Sequence, residues 1–528
     1  MTETPSAPNS RTVRFRLLPT AGWLLAYCSL ALATHTYVLL HPMPCDNCVY
    51  IRYSRDWSDG AKLYTDRYEP KTPVVFWLFR LIDSPSPRLS VYFAGAVLVA
   101  FAGGELRRAL LKVAPLGASI APVFLIVWSG AIGFQHLYDA FVVPLAVLAF
   151  AWLGRAVESR SVALYPGLAG VAFAIVVGLY PPTAAYAIAF LPLLIQFIRQ
   201  HGWRSALRAV ASCIAGFSLV WGFVVSHALT SDYWDGFLDA MAATSQYGEI
   251  GRVSVHEHKR RWLEEMTRFV EVGGPILATV VLASAIGIVL KWRGLNGKVW
   301  VFTTLLWFAA AQLGTFPGGR HFTNYYAMLI GPLAALGGLG LAALSATREI
   351  RRGIRVLLVA YAVVAVGFNA FDNYQLAKDY RMRSPSNART QVTYTGEFFD
   401  LLIPQNELVV VCVWGNWAEL YWRVPRPSPS RHIIPWNLAE TRPEFFDEWA
   451  RDVLANLPEW IVTDNSLLGP GVTDEEIRKH SDPFGARAML TTPSFAKLRA
   501  IVRSDYEVVN GMGGCFVLKR IKSEKPRP

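Results

Sequence analysis

Two carboxylates, Asp46 and Asp139, stand where a carboxylate is costly in this sequence. Each lies where a polar segment meets a long apolar run. An ionisable group at membrane depth is a functional-site hypothesis by default, because burying it there is expensive. Such a group can take a proton from a hydroxyl or steady a developing positive charge. The plainer alternative is a helix cap, a role Asp fills well. Cations accompany both. Lys71, with Arg67 close by, separates an aromatic-rich stretch from Val74-Val75-Phe76-Trp77-Leu78. A cation there suits the phosphate of a lipid whose tail lies in the bilayer; it equally suits a lysine snorkelling to the interface. Arg320-His321, followed by Asn324-Tyr325-Tyr326, opens a later apolar run. Arginine matches phosphate geometry, whereas a lone histidine at such a place also reads as a hydrogen-bonded interface residue. Two carboxylates with Lys71 and Arg320 on one side of a membrane point to a shared site, in which Arg67, His321 and Tyr325 would take lesser parts.

The elements that must position these residues are mostly apolar. Of 528 residues, 53% are hydrophobic and 17% charged; a soluble domain carries about 25% charge. The expected fold class is therefore an α-helical polytopic membrane protein. A net charge of +12 does not indicate nucleic acid, because Lys and Arg fall between the apolar runs and not on one face. A span needs about 20 apolar residues. Candidate spans fall at 21–41, 89–105, 117–135, 139–154, 163–180, 183–199, 208–229, 273–291, 299–316, 323–346 and 354–371, eleven in all. The first reads as a retained span and not a cleaved signal peptide.

With residues 1–20 as a cytoplasmic tail, alternate loops collect the positive charge, as multi-pass proteins of the cell membrane do. They hold Arg11, Arg14 and Arg16; Arg107, Arg108 and Lys112; Arg155 and Arg160; Arg199, Arg204 and Arg208; Lys291, Arg293 and Lys298; and Arg348 to Arg355. Arg320 is the exception on the other face. Residues 21–371 then form the transmembrane domain. Outside lie the loops 42–88 and 230–272, which read as interfacial helices, and an extracytoplasmic domain, 372–528. In that tail, strand-like runs at Leu408–Trp414, Trp460–Thr463, Tyr506–Val509 and Cys515–Leu518 alternate with helical patterns at Phe445–Leu457 and Ser494–Val502. The alternation predicts a small α/β domain.

Six cysteines divide by place. Cys28 and Cys213 fall in spans as small packing residues. Cys45 and Cys48 flank Asp46-Asn47, where a local clamp or free thiols come ahead of redox chemistry or half a metal site. Cys412 and Cys515 fall in two strand-like runs, and an oxidising exterior permits a bridge between them.

In these residues the chain resembles the class C glycosyltransferases, integral membrane enzymes that use polyprenyl-phosphate sugars and include the aminoarabinose transferases and the protein O-mannosyltransferases. Like them it has an acidic residue after the first span, Asp46. A G-x-x-x-Y turn, Gly60 to Tyr64, precedes a D-x-x-x-K-P-P-like segment from Asp66 to Pro73. A second acidic residue, Asp139, opens a later span. Gly319-Arg320-His321-Phe322 with Tyr325-Tyr326 begins a late one, and Trp414 to Tyr421 with Arg423 to Arg431 is similar to the soluble domain of bacterial relatives. It departs from the mannosyltransferases, which carry Asp-Glu where Asp46-Asn47 stands, and has Lys71-Thr72-Pro73 in place of Lys-Pro-Pro.

The resemblance implies a sugar moved from a polyprenyl-phosphate donor to an acceptor hydroxyl on a lipid, glycan or protein, on the extracytoplasmic face and with inversion. Asp46 would be the base and Asp139 its partner, with Lys71 and Arg320 on the phosphate. No cofactor is implied and no metal is predicted, although two carboxylates can hold a divalent ion. Membrane lipids, and not nucleic acid, are the expected surroundings. The alternative class is a lipid or glycan transporter or flippase, which would show internal repeats and broken helices at midplane. A scaffold would leave Asp46, Asp139 and Lys71 without a shared purpose.

Overall fold

The computed structural model describes residues 10–36, 45–84, 87–132, 138–159, 161–250, 255–290, 297–316, 323–344, 398–413, 419–423, 426–433, 443–464, 468–480, 489–512 and 515–521, with single positions near 352–371 and at 487. Among the described residues, helices lie in each of the first ten apolar runs. They are α1 (Ser10–Thr34), α2 (Cys45–Ser58), α3 (Pro73–Ile82), α4 (Pro87–Leu110), α5 (Gly117–Ile132), α6 (Val143–Ser159), α7 (Leu164–Leu179), α8 (Leu191–His201), α9 (Trp203–Thr230), α10 (Trp234–Ile250), α11 (Val255–Leu290), α12 (Lys298–Thr315), α13 (Thr323–Tyr326) and α14 (Ile330–Leu344). A π-helical turn, Tyr138–Val142, leads into α6, and a 3-10 segment, Pro181–Phe190, into α8. The eleventh run, 354–371, lies largely outside the described residues.

Five helical stretches are long and apolar enough to cross a membrane among the described residues: Pro87–Leu110, Ala140–Ser159, Pro181–His201, Trp203–Thr230 and Ala327–Leu344. The Ala140–Ser159 stretch is central and largely buried, whereas α9 is at the edge and exposes Leu207, Ile214, Leu219 and Phe223. A row of exposed leucines and phenylalanines on one helix is costly in water and natural against lipid.

Three boundaries differ from the sequence expectations. α1 begins at Ser10, so part of the polar N-terminal segment is helical. The charged run His256–Arg261, read as part of an interfacial segment ahead of a separate span at 273–291, forms the first turns of the 36-residue α11. There Glu257 pairs with Arg260 and Arg261, and Arg260 with Glu264, at the spacings that stabilise a helix. In the first loop, read as interfacial, the helix α2 covers only Cys45–Ser58, and its apolar face is not turned to a membrane surface alone. Tyr50 and Tyr53 are buried against Phe76 of α3.

The tail forms one four-stranded sheet in the order β1-β2-β4-β3, with β1 Val409–Cys412, β2 Trp460–Asp464, β3 Tyr506–Met512 and β4 Cys515–Arg520. β1 and β2 are parallel, and β4 runs antiparallel to both β2 and β3. Helices α15 (Leu420–Arg423), α16 (Pro443–Ala455), α17 (Asp474–His480) and α18 (Pro493–Asp505) complete it. Phe446 and Trp449 of α16 stack on each other and pack against Phe495 of α18. The expected strands and two helices are present within a few residues. The Cys412–Cys515 bridge is not formed: both thiols are buried and free. β2 lies between their strands, and two interstrand steps of about 4.8 Å exceed the roughly 7 Å that a disulfide spans.

Candidate active site

The site is built on the loop between α2 and α3, residues 59–72. Gly60 turns the chain with φ +101°, a conformation open to glycine and costly elsewhere. Tyr64 adopts φ +63° without being glycine, which costs a residue with a Cβ roughly 1–2 kcal/mol. Three contacts hold it there. Its N–H donates to the Arg67 carbonyl at 2.6 Å. Its hydroxyl donates to the Lys71 carbonyl at 2.5 Å. Its own carbonyl accepts from Arg431 of the tail at 3.3 Å. The strained tyrosine thus fixes the backbone that carries Lys71.

Glu69, two residues before Lys71, is the residue that the sequence reading passed over. It is 9% exposed. Burial, with the negative charge of Asp46 adding to it and Lys71 opposing, raises its pKa from 4.5 to about 7. Asp46 in the first turn of α2, Glu69 and Lys71 therefore lie within electrostatic reach of one another. A carboxyl poised near neutrality, beside a cation, has the proton affinity expected of a general base or acid. Among the described residues no three His, Cys, Asp or Glu side chains converge as metal ligands do; Asp46 and Glu69 are a pair of carboxylates.

The backbone on either side of Glu69 is braced. The Tyr68 N–H donates to the Arg431 carbonyl at 3.1 Å, and the Tyr68 carbonyl accepts the Tyr53 hydroxyl at 2.8 Å. The Tyr68 ring lies edge-on to His432 and Phe445, with the Arg431 guanidinium 5.3 Å from its centre. Arg431 is in turn gripped by Glu448 through two hydrogen bonds of 2.8 and 3.1 Å. On the far side of Lys71, the Thr72 hydroxyl donates to the Gly178 carbonyl of α7. A side chain at 178 would bring its Cβ within 2.6 Å of Val74, so glycine there lets α7 touch the start of α3.

That contact leads to the remaining candidates. Tyr180, two residues past Gly178, donates to the Gly314 carbonyl at 2.8 Å and packs on Tyr325 with ring centres 5.7 Å apart. Tyr325 belongs to α13, which packs against the π-helical turn containing Asp139. The Asp139 side chain, Arg320 and His321 lie outside the described residues. Arg67 is placed differently from the rest: its guanidinium pairs with Asp56, which also holds Arg52 at 2.8 Å. Through Asp56 it braces α2. Asp66, at the head of the D-x-x-x-K segment, closes the turn by accepting the Lys62 N–H at 2.8 Å. Glu69 had a signal in the sequence: an acid two positions from the candidate lysine, inside the segment already singled out.

The tail roofs this loop. Arg52 of α2 donates to the Arg426 carbonyl at 2.7 Å, and the Ile433 N–H reaches the Tyr53 hydroxyl at 3.5 Å. Arg88 at the start of α4 pairs with Glu419, both nearly inaccessible. No protein-family model matches the chain, and no curated protein matches it.

Proposed function

We propose that this protein is a membrane glycosyltransferase that moves a sugar from a polyprenyl-phosphate donor to an acceptor hydroxyl at the loop 59–72. The observation that carries the reading is the buried Glu69, with its pKa raised to about 7, beside Asp46 and Lys71. Sugar transfer from a lipid phosphate needs a base for the incoming hydroxyl and a cation for the departing phosphate.

In this proposal the base is Glu69, and not Asp46 as the sequence alone suggested. Glu69 takes the proton as the acceptor oxygen bonds to the anomeric carbon. The bond from that carbon to the phosphate oxygen breaks, the phosphate leaves with the electron pair, and Lys71 holds it. Burial, with a smaller part from the Asp46 charge, keeps the proton affinity of Glu69 near neutrality, and Asp46 orients the acceptor. Asp139, on the turn that α13 packs against, faces the oxocarbenium-like centre in this scheme, with Arg320, His321 and Tyr325 on the donor side. Attack opposite the phosphate inverts the anomeric centre. The same proposal takes the eleven apolar runs as spans, the N-terminus as cytoplasmic and the tail as extracytoplasmic, which puts the site where lipid-linked sugars are presented outside the cell membrane.

The test is direct. The full chain, purified in detergent, is incubated with a panel of polyprenyl-phosphate sugars, and release of polyprenyl phosphate is measured. Turnover with at least one donor, reduced by about 10²–10⁴-fold in Glu69→Gln, is the expected result. Turnover in Glu69→Gln equal to wild type, or no donor consumed from a panel spanning hexoses and pentoses, overturns it.

A further inference from the structure

The apolar stretch Pro181–His201 changes helix type partway along. Its first ten residues, Pro181–Phe190, form a 3-10 helix, and α8 follows from Leu191. Such helices rarely run beyond three or four residues, because their hydrogen bonds are poorly aligned, and one inside a longer helix often marks a hinge. The local sequence does not ask for it. From Thr183 to Phe190 there is no proline, and Ala184, Ala185, Ala187 and Ala189 are the best α-formers there are.

Two features hold the tighter winding. The first is packing. Thr183, Tyr186 and Ala189 are buried, and their spacing puts them on one line only at three residues per turn. In an α-helix the outer two would diverge by about 120°. The Tyr186 ring meets Trp307 of α12 edge-on at 6.3 Å, and the Phe190 ring meets Phe150 of α6 and Phe173 of α7 at 4.8 and 5.1 Å. The second is Pro192. The Ile188 carbonyl accepts from the Leu191 N–H, three residues on. Its α-helical partner would be residue 192, which as proline has no N–H to give and whose ring crowds that carbonyl.

The two ends of the stretch are tied to different helices. The Tyr180 hydroxyl donates to the Gly314 carbonyl of α12 and its ring packs on Tyr325 of α13, while the Gly178 carbonyl takes the Thr72 hydroxyl. At the far end, His201 donates from Nε2 to the Val157 carbonyl of α6 at 2.6 Å. The ten residues span about 20 Å as a 3-10 helix and about 15 Å as an α-helix. A change in winding is therefore a change in the distance between these anchors.

We propose that Pro181–Phe190 is a length switch, which converts between this 3-10 form and an α-helix that is about 5 Å shorter. Conversion turns Tyr186 away from Trp307 and pulls on Tyr180 and Gly178, the joint beneath the loop 59–72. The two windings bury different faces, so they are alternatives and not a continuum. The switch belongs to the span and stands whether or not the loop transfers sugar.

The test is pulsed electron paramagnetic resonance on the full chain in detergent, with spin-labelled non-canonical residues at the exposed positions Ala184 and Gln200. Leu207 and Phe223, exposed on α9 at the same sequence spacing, give the α-helical reference. The wild-type 184–200 separation should exceed that reference by about 3 Å. Pro192→Ala supplies the missing N–H and should move a population onto the reference value. Tyr186→Ala removes the ring that fixes the buried face and should do the same. A wild-type separation equal to the reference overturns the proposal, as does a separation unshifted in both variants. Should one variant fail to fold, the other decides.

Discussion

Ionising Glu69 places a negative charge where little water reaches it and near Asp46. The sign of the consequence follows from the direction of the shift. At low pH the carboxyl is protonated in the folded and unfolded chain alike, and its burial is uncharged. As pH rises from 4.5 through about 7, the unfolded chain releases the proton first, so the folded state loses stability across that window. Glu69→Gln should therefore gain up to about 3 kcal/mol over wild type at pH 8 and nothing at pH 4, read as the difference in thermal unfolding at the two pH values. No growth of that difference with pH would show that Glu69 is solvated. If the loop transfers sugar as proposed, the same charge sets the rate. Under the proposed chemistry the rate should rise with pH through a limb near 7. Asp46→Asn removes the neighbouring charge and should move that limb to lower pH. A limb that stays in place in Asp46→Asn would separate the two carboxylates.

At the scale of elements, the site is a loop held from three directions: by Tyr53 of α2, by Gly178 of α7 and by Arg431 of the tail. Tyr53→Phe deletes the hydroxyl that meets the buried Tyr68 carbonyl and should cost about 1–3 kcal/mol. It should lower turnover more than it raises KM, because the base is displaced and the donor grip is kept; a change in KM alone would argue against a positioning role. Gly178→Ala forces a Cβ to within 2.6 Å of the branched Val74 side chain. It should impair donor binding through Lys71 while α7 remains helical by circular dichroism. Much of this frame was legible in the sequence. The apolar runs became helices, the Gly60 turn has the backbone only glycine takes freely, and the alternating patterns of the tail became its strands. Glu69 was legible only by its place two positions from Lys71; its burial is conferred by distant parts of the chain, and a lone acid between Tyr68 and Pro70 otherwise reads as a solvated loop residue. The continuity of α11 was missed for a different reason. Polarity suggested an interfacial helix that stops before the span, while the i,i+3 and i,i+4 pairs from Glu257 to Glu264 belong to one helix that runs on into it.

At the scale of the molecule, the tail and the helical bundle share buried polar contacts. The Arg88–Glu419 pair joins the start of α4 to the tail with both side chains nearly inaccessible, and Arg423 offers Glu419 a second partner at 3.1 Å. Removing one member of a buried pair costs about 3–5 kcal/mol, tempered here by Arg423. Arg88→Met should therefore loosen the tail, seen as faster proteolysis between residues 398 and 433, while the helix content stays the same. Unaltered proteolysis would mean that Arg88 and Glu419 do not hold the two parts together. The two free thiols of the sheet give an independent check: Cys412 and Cys515 should both alkylate after denaturation without reductant.

The hydrogen bond from Arg52 to the Arg426 carbonyl closes across 374 residues. A ribosome therefore delivers Asp46, Glu69 and Lys71 long before it delivers the segment that braces them. Every helix of the bundle can be made while the loop still lacks Arg431, Ile433 and the roof they form. A nascent chain in this state has Glu69 still in water, without the raised proton affinity that burial confers. If the loop transfers sugar as proposed, activity would switch on only at the end of synthesis, and a prematurely terminated product would be inert.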